Sequence, residues 1–272
     1  MKLDAVAKTA LLVAAMRAIE TNRSESEGRL FNDPFASALA GDEGFAIFEE
    51  ARKIVGDQPA IAVRTFFYDG RISNAIQQGF KQFVFLAAGM DSRAYRLSFQ
   101  ESTQLFELDR GEVLDYKQKK LSGATPLCRR HAVAADLESN WEGELMNSGF
   151  IPNQPTVWLA EGLLMYLTEP AVETLFAKIT KLSAPGSLVL FDVLGRRLLD
   201  APFMATQLEY LAKMGAPWRF GLDEPELFME KFGWTSVATE PGTVVPERWP
   251  RPVTPRHVPN VPRSFFVEAR KT

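Results

Sequence analysis

Residues 83–97 of the chain read FVFLAAGMDSRAYRL, and this stretch decides how the rest of the sequence is interpreted. Its first part, FVFLA, is a short apolar run typical of a strand buried on both faces of a sheet. Ala88 and Gly89 end this run, and DSRAYRL then follows with the pattern of a helix. The stretch therefore predicts a strand, a turn at Gly89 and a helix in immediate succession.

Four further apolar runs of the same kind follow along the chain. They are QLFELD at 104–109, HAVAADL at 131–137, PTVWLAEGLLMYL at 155–167 and SLVLFDVL at 187–194. Helical patterns separate them, so that strand and helix alternate in units of about 25–30 residues. This alternation predicts an α/β fold with a mostly parallel sheet and helices on both faces. Strand patterns at 234–240 and 263–271 bring the expected number of strands to seven.

The remaining segments predict additions to this sheet. Residues 1–80 have helical patterns and are interpreted as an N-terminal helical cap on a core of residues 81–272. Within that core we expect a helical insertion at about 196–232, and the cap and the insertion are the expected lids over a substrate. A loop at 241–262 holds seven prolines and is predicted to contain no helix. It is either a surface linker or a wall of the substrate pocket.

Composition and charge exclude several classes of protein. The chain has 272 residues with 46% hydrophobic and 24% charged residues, which is ordinary for a globular protein. A net charge of −3 gives no electrostatic reason to expect nucleic acid or an anionic membrane as a partner. One cysteine and two distant histidines provide neither a disulfide nor the spacing of a metal site. We therefore expect a protein without a metal. No apolar run has the length of a membrane span, and we expect the protein to be cytoplasmic.

Acidic residues and one glycine stand at the ends of four successive predicted strands. Gly89 follows the first strand, Asp109 ends the second, Asp136 and Leu137 follow the third, and Glu161 follows the fourth. In an open α/β sheet, ligands bind beyond the carboxyl ends of the strands. Asp109 comes 20 residues after Gly89, which is the spacing that places a carboxylate on the hydroxyls of a ribose. The set predicts a pocket for a nucleoside ligand.

The turn after the first strand discriminates between nucleosides. A dinucleotide site uses three glycines, so that the start of a helix can approach a pyrophosphate. Here the turn is AAGMDSR, with one glycine and with Asp91 where the helix is expected to start. A carboxylate at that place repels a pyrophosphate. A ligand without phosphate, such as S-adenosylmethionine, fits this turn better.

At this level of detail the sequence resembles a known family. It is similar to the leucine carboxyl methyltransferase-like family of S-adenosylmethionine-dependent methyltransferases. The segments that carry this similarity are the stretch 83–97, Arg64-Thr65, FELDRGEVLDYKQ, VAADL and WLAEGLLMYL. RLFNDPFA, near the N-terminus, resembles the bacterial branch, which includes polyketide O-methyltransferases of the tetracenomycin type. The resemblance implies a Rossmann-like class I methyltransferase fold, S-adenosyl-L-methionine as cofactor and a role in bacterial secondary metabolism.

The resemblance also implies which residues bind the cofactor. Arg64 corresponds to the arginine that pairs with the methionyl carboxylate, and Gly89 to the glycine under the methionyl group. Asp109 corresponds to the acid that binds the ribose. Asp136 and Leu137 correspond to the adenine contacts.

Two further positions follow from the same resemblance. Glu161 corresponds to the acid near the methionyl amino group. The family also has a lysine in its N-terminal helix that touches the cofactor; Lys8 and Arg17 are both candidates for this position.

The acceptor site is less defined by the sequence. A carboxylate acceptor is already ionised at neutral pH, whereas a phenol benefits from a general base. Because no histidine dyad is evident, a carboxylate acceptor is slightly favoured, and His257 is the weak candidate for a base. The candidate aromatic contacts to a small-molecule substrate are Tyr68, Tyr166, Tyr210 and Trp218.

Three other functions stay open at this point. A protein C-terminal carboxyl methyltransferase needs a surface groove for a peptide tail. A non-catalytic protein that binds adenosylmethionine needs the cofactor residues alone. A nicotinamide oxidoreductase is disfavoured by the missing glycines.

Overall fold

A computed structural model describes residues 3–56, 59–152, 154–249 and 253–272. Three helices precede the first strand: α1 (Ala5–Thr21), α2 (Ala36–Val55) and α3 (Ala60–Gln77). Asp4 caps the N-terminus of α1, where its side chain accepts a hydrogen bond from the backbone N–H of Ala7 at 2.8 Å. Helix α2 bends at Gly41, which has a positive φ of 56°. Helical residues stand on both sides of this break in the backbone.

Seven strands form one sheet, as predicted. They are β1 (Gln82–Leu86), β2 (Gln104–Asp109), β3 (Arg129–Ala134), β4 (Thr156–Ala160), β5 (Leu188–Leu194), β6 (Trp234–Thr239) and β7 (Ser264–Lys271). Their order in the sheet is β3-β2-β1-β4-β5-β7-β6, and β7 runs antiparallel to both of its neighbours. The order reverses between β1 and β4, and a crevice at such a point is where α/β sheets bind ligands. The structure confirms the Rossmann-like methyltransferase fold.

Shorter helices complete both layers around the sheet. They are α4 (Arg93–Arg96), α5 (Gly111–Lys120), α6 (Trp141–Asn147), α7 (Glu169–Leu182), α8 (Arg196–Leu199), α9 (Ala205–Lys213), α10 (Pro225–Glu230) and α11 (Pro241–Val244). The helices predicted in the insertion correspond to α9 and α10, and α8 adds one turn before them. Across the four described ranges, no helix combines the length and the apolar character needed to cross a membrane.

Alternating residues of each central strand pack into two separate cores. Phe83 and Phe85 of β1 face the core that helices α1, α2 and α3 cover. Val84 and Leu86 face the opposite core, which includes Trp141 of α6 and residues of α7 and α10. Because both faces of β1 are buried, its sequence is a continuous apolar run and not an alternating one.

The proline-rich loop departs from the prediction in its first part. Residues Pro241–Val244 form α11, and Pro246–Arg248 form one turn of 3-10 helix. The prediction that this segment contains no helix is wrong. Each of the two short helices has its proline in its first turn, where the backbone N–H makes no hydrogen bond within the helix. Pro241 lines the central cavity described below. Residues 250–252 of the predicted loop lie outside the described residues.

Asp33, in the segment between α1 and α2, ties the N-terminal helices to the sheet. It is 1% exposed, and its Oδ2 accepts hydrogen bonds from Arg17 Nε of α1 at 2.9 Å and from Ser92 Oγ at 2.7 Å. Ser92 belongs to the turn after β1, and Arg17 also donates to the carbonyl of Met90 in the same turn. One carboxylate therefore holds α1 against the turn that follows the first strand.

Replacing Asp33 with alanine is expected to destabilise the fold. The substitution leaves the buried Arg17 guanidinium without its carboxylate partner and the Ser92 hydroxyl without its acceptor, which should lower the free energy of unfolding by about 3 kcal/mol. Urea denaturation measures this change. Asp42→Ala, an exposed position in α2, is the matched control and should change stability little. Equal stabilities of the two variants would show that Asp33 does not hold α1.

Candidate active site

A cavity of about 590 Å³ lies at the carboxyl ends of the parallel strands. Its floor includes the turn after β1 and the residues that end or follow β2, β3, β4 and β5. Residues of α1, α2, α3 and α9 also line it. A volume of this size is within the usual range for a small-molecule site.

The turn after β1 brings the backbone close to the cavity. Ala87 and Gly89 both have positive φ values, of 48° and 47°. A Cβ on Gly89 would lie 3.1 Å from the Cβ of Ala10 in α1, which is closer than most such contacts. Glycine therefore allows the turn to pass between α1 and the cavity without a side chain in the way.

Asp109 is fixed by two backbone donors at the end of β2. Its Oδ2 accepts from the N–H of Gly89 at 2.7 Å, and its Oδ1 accepts from the N–H of Arg110 at 2.8 Å. Burial raises the pKa of the Asp109 carboxyl, although these two N–H groups oppose the shift. The first two strand ends are thus joined through one carboxylate that lines the cavity.

Arg64 of α3 lies between two carboxylates that come from different strands. Its Nε donates to Glu161 Oε1 at 3.0 Å, and its Nη1 donates to Asp192 Oδ2 at 3.0 Å. Burial disfavours the charged form of Arg64, but Asp192 and Glu161 outweigh it and raise its pKa. No described residue accepts a hydrogen bond from the remaining nitrogen, Nη2, and Arg64 lines the cavity. One donor of the guanidinium is therefore available to a ligand.

Asp192 and Gly162 complete this group, and the sequence did not predict either of them. The N–H of Gly162 donates to Asp192 Oδ1 at 2.6 Å. Gly162 has a φ of 67°, and a Cβ there would lie 3.2 Å from Nη1 and Nη2 of Arg64. A side chain at this position would therefore displace the guanidinium. The available signal for Asp192 was the acid within the apolar run SLVLFDVL.

Arg93, in α4, joins the turn to Glu161. Its Nη1 lies 2.8 Å from Glu161 Oε2 and forms an ion pair with Asp91, while its Nε donates to Asp69 Oδ1 at 2.7 Å. Arg96 donates to Asp69 Oδ2 at 2.6 Å and to Ser92 Oγ at 3.0 Å. Both arginines therefore brace the turn after β1.

The Asp91 carboxylate should contribute to the acid sensitivity of the fold. Burial disfavours its ionised form, but Arg93, Lys117 and Arg17 outweigh burial and lower the pKa of Asp91 to about 2. Because the folded state has the lower pKa, the ionised Asp91 carboxylate stabilises the fold. This stabilisation is complete above the ordinary pKa of 3.8 and disappears as pH falls through about 2. The free energy involved is about 2 kcal/mol.

Asp91→Asn should therefore lose less stability than the parent between pH 4 and pH 2. Urea denaturation of both proteins at several pH values measures the free energy of unfolding. Parallel curves for parent and variant would contradict the prediction. Asp42→Asn, at an exposed position, is the control and should follow the parent.

Asp136 and Leu137 lie on the open side of the cavity, just after β3. Both line the cavity, and Asp136 is exposed whereas Leu137 is half-buried. Asp136 Oδ1 accepts from the N–H of Glu138 at 2.9 Å. The structure thus brings together all six residues predicted to bind the cofactor, which are Arg64, Gly89, Asp109, Asp136, Leu137 and Glu161.

Comparison with known sequences shows what kind of protein has this cavity. The sequence model of the family described as leucine carboxyl methyltransferase matches residues 10–180, which is more than half of the chain. The match includes most of α1, Arg64, the turn after β1 and the ends of β2, β3 and β4. The chain belongs to the leucine carboxyl methyltransferase family.

Curated relatives of this leucine carboxyl methyltransferase family member carry similar names. One relative, from Parafrankia sp., is described as an S-adenosyl-L-methionine-dependent methyltransferase. It is 38% identical to this chain over 266 residues, and the match covers 90% of this chain and 84% of that protein. A protein of the same description from Mycobacterium tuberculosis is 44% identical over 205 residues. That match covers 70% of this chain and 65% of the relative, so it spans just under two thirds of the mycobacterial protein.

Solved structures support the fold of the family member. A DUF574 family protein from Streptomyces avermitilis has a TM-score of 0.62 at 12% identity, with 95% of this chain and 97% of that chain covered. A protein from Thermobifida fusca, assigned as a methyltransferase, has a TM-score of 0.62 at 18% identity, with 87% and 92% covered. Identities this low establish the fold alone. The narrower assignment to the tetracenomycin-type branch stays a prediction.

The N-terminal helix of this methyltransferase offers Arg17 and not Lys8 to the cavity. Arg17 lines the cavity and is held by Asp33 and by the carbonyl of Met90. Lys8 forms an ion pair with Glu43 of α2 at 2.7 Å, and it is absent from the cavity wall. Of the two N-terminal candidates, Arg17 alone lies where a cofactor can reach it.

The aromatic candidates divide between the cavity and the core. Tyr166, Tyr210 and Trp218 line the cavity. Tyr68 does not: it is fully buried, and its ring lies 5.6 Å from that of Phe266 between centroids. The prediction that Tyr68 contacts substrate is wrong, because its ring packs on Phe266 within the core.

His257 is also misplaced by the sequence prediction. It is exposed in the loop before β7 and does not contribute to the cavity wall. In the part of the chain that the structure describes, no histidine lines the cavity. His257 is therefore no candidate for a general base.

Proposed function

We propose that the chain transfers a methyl group from S-adenosyl-L-methionine to a hydroxyl or carboxylate oxygen of a small molecule. The chain is an S-adenosylmethionine-dependent methyltransferase, as its family and its named relatives indicate. The observation that carries the proposal is Asp109, fixed by two N–H groups beside Gly89 at the switch point of the sheet. By resemblance to polyketide O-methyltransferases, we extend the proposal to bacterial secondary metabolism.

The residues around the cavity fit this cofactor and not a dinucleotide. A carboxylate at the end of β2 suits a pair of ribose hydroxyls, since it accepts two hydrogen bonds. Asp91 lines the cavity at the turn after β1, where a pyrophosphate would be repelled. The one open donor of Arg64 and the nearby Glu161 suit the carboxylate and the ammonium of an amino acid.

These residues would hold the cofactor as follows. Asp109 would bind the ribose hydroxyls, and Asp136 with Leu137 would contact the adenine ring. Arg64 would bind the methionyl carboxylate through Nη2, and Glu161 would accept a hydrogen bond from the amino group. Asp192 contributes indirectly, because it holds Arg64 and the N–H of Gly162 in place.

When bound, the cofactor supplies a methyl group on a positively charged sulfur. The protein then has to orient the acceptor in line with that group, and positioning of this kind accounts for much of the rate enhancement. The rigid ion-pair network of Arg64, Arg93, Glu161 and Asp192 suits this task, since all four side chains are largely buried. Helix α1 shields one side of the cavity from water.

The size of the cavity supports a small-molecule acceptor. At about 590 Å³ it has room for a cofactor and an acceptor of modest size. Tyr166, Tyr210 and Trp218 provide aromatic surface for such an acceptor.

Calorimetric titration of the purified chain with S-adenosylmethionine, S-adenosylhomocysteine and NAD tests the proposal. Micromolar binding of the two adenosyl ligands, without binding of NAD, is the expected result. A folded protein that binds neither adenosyl ligand would refute the proposal. If the adenosyl ligands bind, release of S-adenosylhomocysteine in the presence of candidate acceptors then tests methyl transfer.

A further inference from the structure

Helix α9 provides one wall of the central cavity. Gln207, Tyr210 and Leu211 of this helix line the cavity, as does Trp218 in the segment that follows it, and we call these four residues the α9 wall. Gln207 and Tyr210 are three positions apart, so their side chains are neighbours on one face of the helix. Leu211, four positions after Gln207, shares this face and is buried. The α9 wall therefore combines an apolar surface with two neighbouring polar groups.

The α9 wall is held in place by three other parts of the chain. Helix α9 itself packs against α2. A Cβ on Gly215, just after α9, would lie 3.1 Å from the Cβ of Ala5 in α1. The N–H of Arg219, next to Trp218, donates to the carbonyl of Met165 in the segment after β4 at 2.7 Å. A wall fixed in this way can recognise a ligand without first being ordered.

The α9 wall lies beyond the part of the chain that the family model matches. That match ends at residue 180, and it includes all six residues that were predicted to bind the cofactor. The cofactor is common to the family, whereas proteins that share one fold act on different substrates. The α9 wall is therefore the part of the cavity where we expect features particular to this protein.

The side chains of Gln207 and Tyr210 form no hydrogen bond with any described residue, although both line the cavity. Asp109 and Arg64, in contrast, are bound by backbone N–H groups and by carboxylates of the protein. Burial raises the pKa of Tyr210, helped by Glu50 of α2, so its hydroxyl is protonated at neutral pH. An amide and a hydroxyl can each donate and accept a hydrogen bond. The α9 wall therefore offers two unoccupied hydrogen-bonding groups to a ligand.

These two groups suit recognition of the acceptor. The ribose, the adenine, the carboxylate and the amino group of the cofactor already have proposed partners at the strand ends and on α3. An attacking hydroxyl is activated by a base, and neither an amide nor a protonated phenol is a base at neutral pH. Gln207 and Tyr210 are therefore matched to a polar group of the acceptor that does not react.

We propose that Gln207 and Tyr210 select the acceptor by hydrogen bonding to a second polar group on it, apart from the oxygen that receives the methyl group. The proposal rests on the proposed function, and it holds whether that oxygen belongs to a hydroxyl or to a carboxylate. The acceptor is accordingly a molecule with an apolar body and at least two polar functions. One function faces the cofactor and the other faces α9, while Leu211 and Trp218 contact the apolar body.

Two pairs of naphthalene ligands test the proposal by calorimetry. The members of each pair differ by one hydroxyl: 2-naphthol and 2,6-dihydroxynaphthalene, and 2-naphthoate and 6-hydroxy-2-naphthoate. The full chain is first saturated with S-adenosylhomocysteine, and each ligand is then titrated into the complex at pH 7.5. We expect the member with the additional hydroxyl to bind at least tenfold more tightly in one pair or in both. The absence of this preference from both pairs would overturn the proposal, and so would a failure of all four ligands to bind.

Substitutions in α9 connect the preference to these two residues. Gln207→Leu keeps the approximate size of the side chain but removes its donor and its acceptor, so it should reduce the preference about tenfold. Tyr210→Phe should reduce it in the same direction. The affinities for S-adenosylhomocysteine and for the ligand without the additional hydroxyl should stay close to those of the parent, which distinguishes lost recognition from a damaged fold.

Thr206→Leu is the matched control, since Thr206 is exposed on the same helix outside the cavity wall. This variant should retain the full preference for the additional hydroxyl. A preference that persists when Gln207→Leu and Tyr210→Phe are combined would overturn the assignment of the two residues.

The two proposals fail in distinguishable ways. If S-adenosylhomocysteine does not bind to the folded chain, the cofactor proposal is refuted before any naphthalene ligand is added. If it binds and the additional hydroxyl has no effect, the proposal for the α9 wall alone is refuted.

Discussion

Replacing Arg64 with alanine is expected to lower the free energy of unfolding by about 3–5 kcal/mol. The guanidinium is bound to Glu161 and Asp192, each at 3.0 Å, and both carboxylates are largely buried. Its removal leaves two like charges near each other with one of their counter-ions lost. Urea denaturation measures the change in stability, and titration with S-adenosylhomocysteine should also show weaker binding.

Arg71→Ala is the matched control for Arg64→Ala, because Arg71 lies on the same helix. Its ion pair with Glu268 is at the surface, with 40% of the Arg71 side chain exposed. Exposed ion pairs contribute about 0–1 kcal/mol, so this variant should differ little from the parent. If the two alanine variants were equally stable, Arg64 would not be the residue that holds the two carboxylates.

Replacing Asp109 with alanine is expected to raise the dissociation constant for S-adenosylhomocysteine about 10- to 100-fold. The variant loses the acceptor of the Gly89 and Arg110 N–H groups as well as the proposed acceptor of the ribose hydroxyls. Calorimetry on the folded variant gives the affinity. Circular dichroism of the same sample distinguishes a local loss of binding from unfolding.

Two further variants make the Asp109 result specific. Asp115→Ala removes an exposed carboxylate from α5, close in sequence, and should leave the affinity unchanged. Asp109→Asn keeps one acceptor oxygen and should fall between the alanine variant and the parent. An Asp109→Ala protein with parental affinity would remove this residue from the cofactor site.

The central strands β1, β2, β4 and β5 were predictable because each is buried on both faces or nearly so. A continuous apolar run such as FVFL in β1 has few alternatives once helical patterns stand on either side of it. The parallel topology then follows, and with it the meeting of Gly89, Asp109 and Glu161 at one edge. The site was predictable to the extent that it depends on strand ends.

Pairing between distant residues was not predictable. Arg64 and Asp192 are 128 positions apart, and their side chains meet only in the folded chain. Nothing in the local sequence of either residue indicates the other. The restriction on a side chain at Gly162 has the same origin, since a Cβ there would lie 3.2 Å from Nη1 and Nη2 of Arg64.

The aromatic predictions show a second limit. Arg64 and Tyr68 are four residues apart and therefore share a face of α3, but only Arg64 reaches the cavity. A sequence pattern indicates that a face is covered; it does not distinguish a protein core from a ligand pocket. His257 failed for a different reason, because an unpatterned loop carries no information about its direction.

The position of β7 has a consequence for how the protein is made. This strand lies between β5 and β6, and its residues Ser264, Phe265 and Phe266 line the cavity. A nascent chain that has emerged only as far as β6 has no partner for that strand, since β6 pairs with β7 alone. The ribosome therefore delivers the interior strand after its two neighbours. The pocket is completed only once elongation has passed β7, so a chain that lacks this strand also lacks part of the ligand-binding wall.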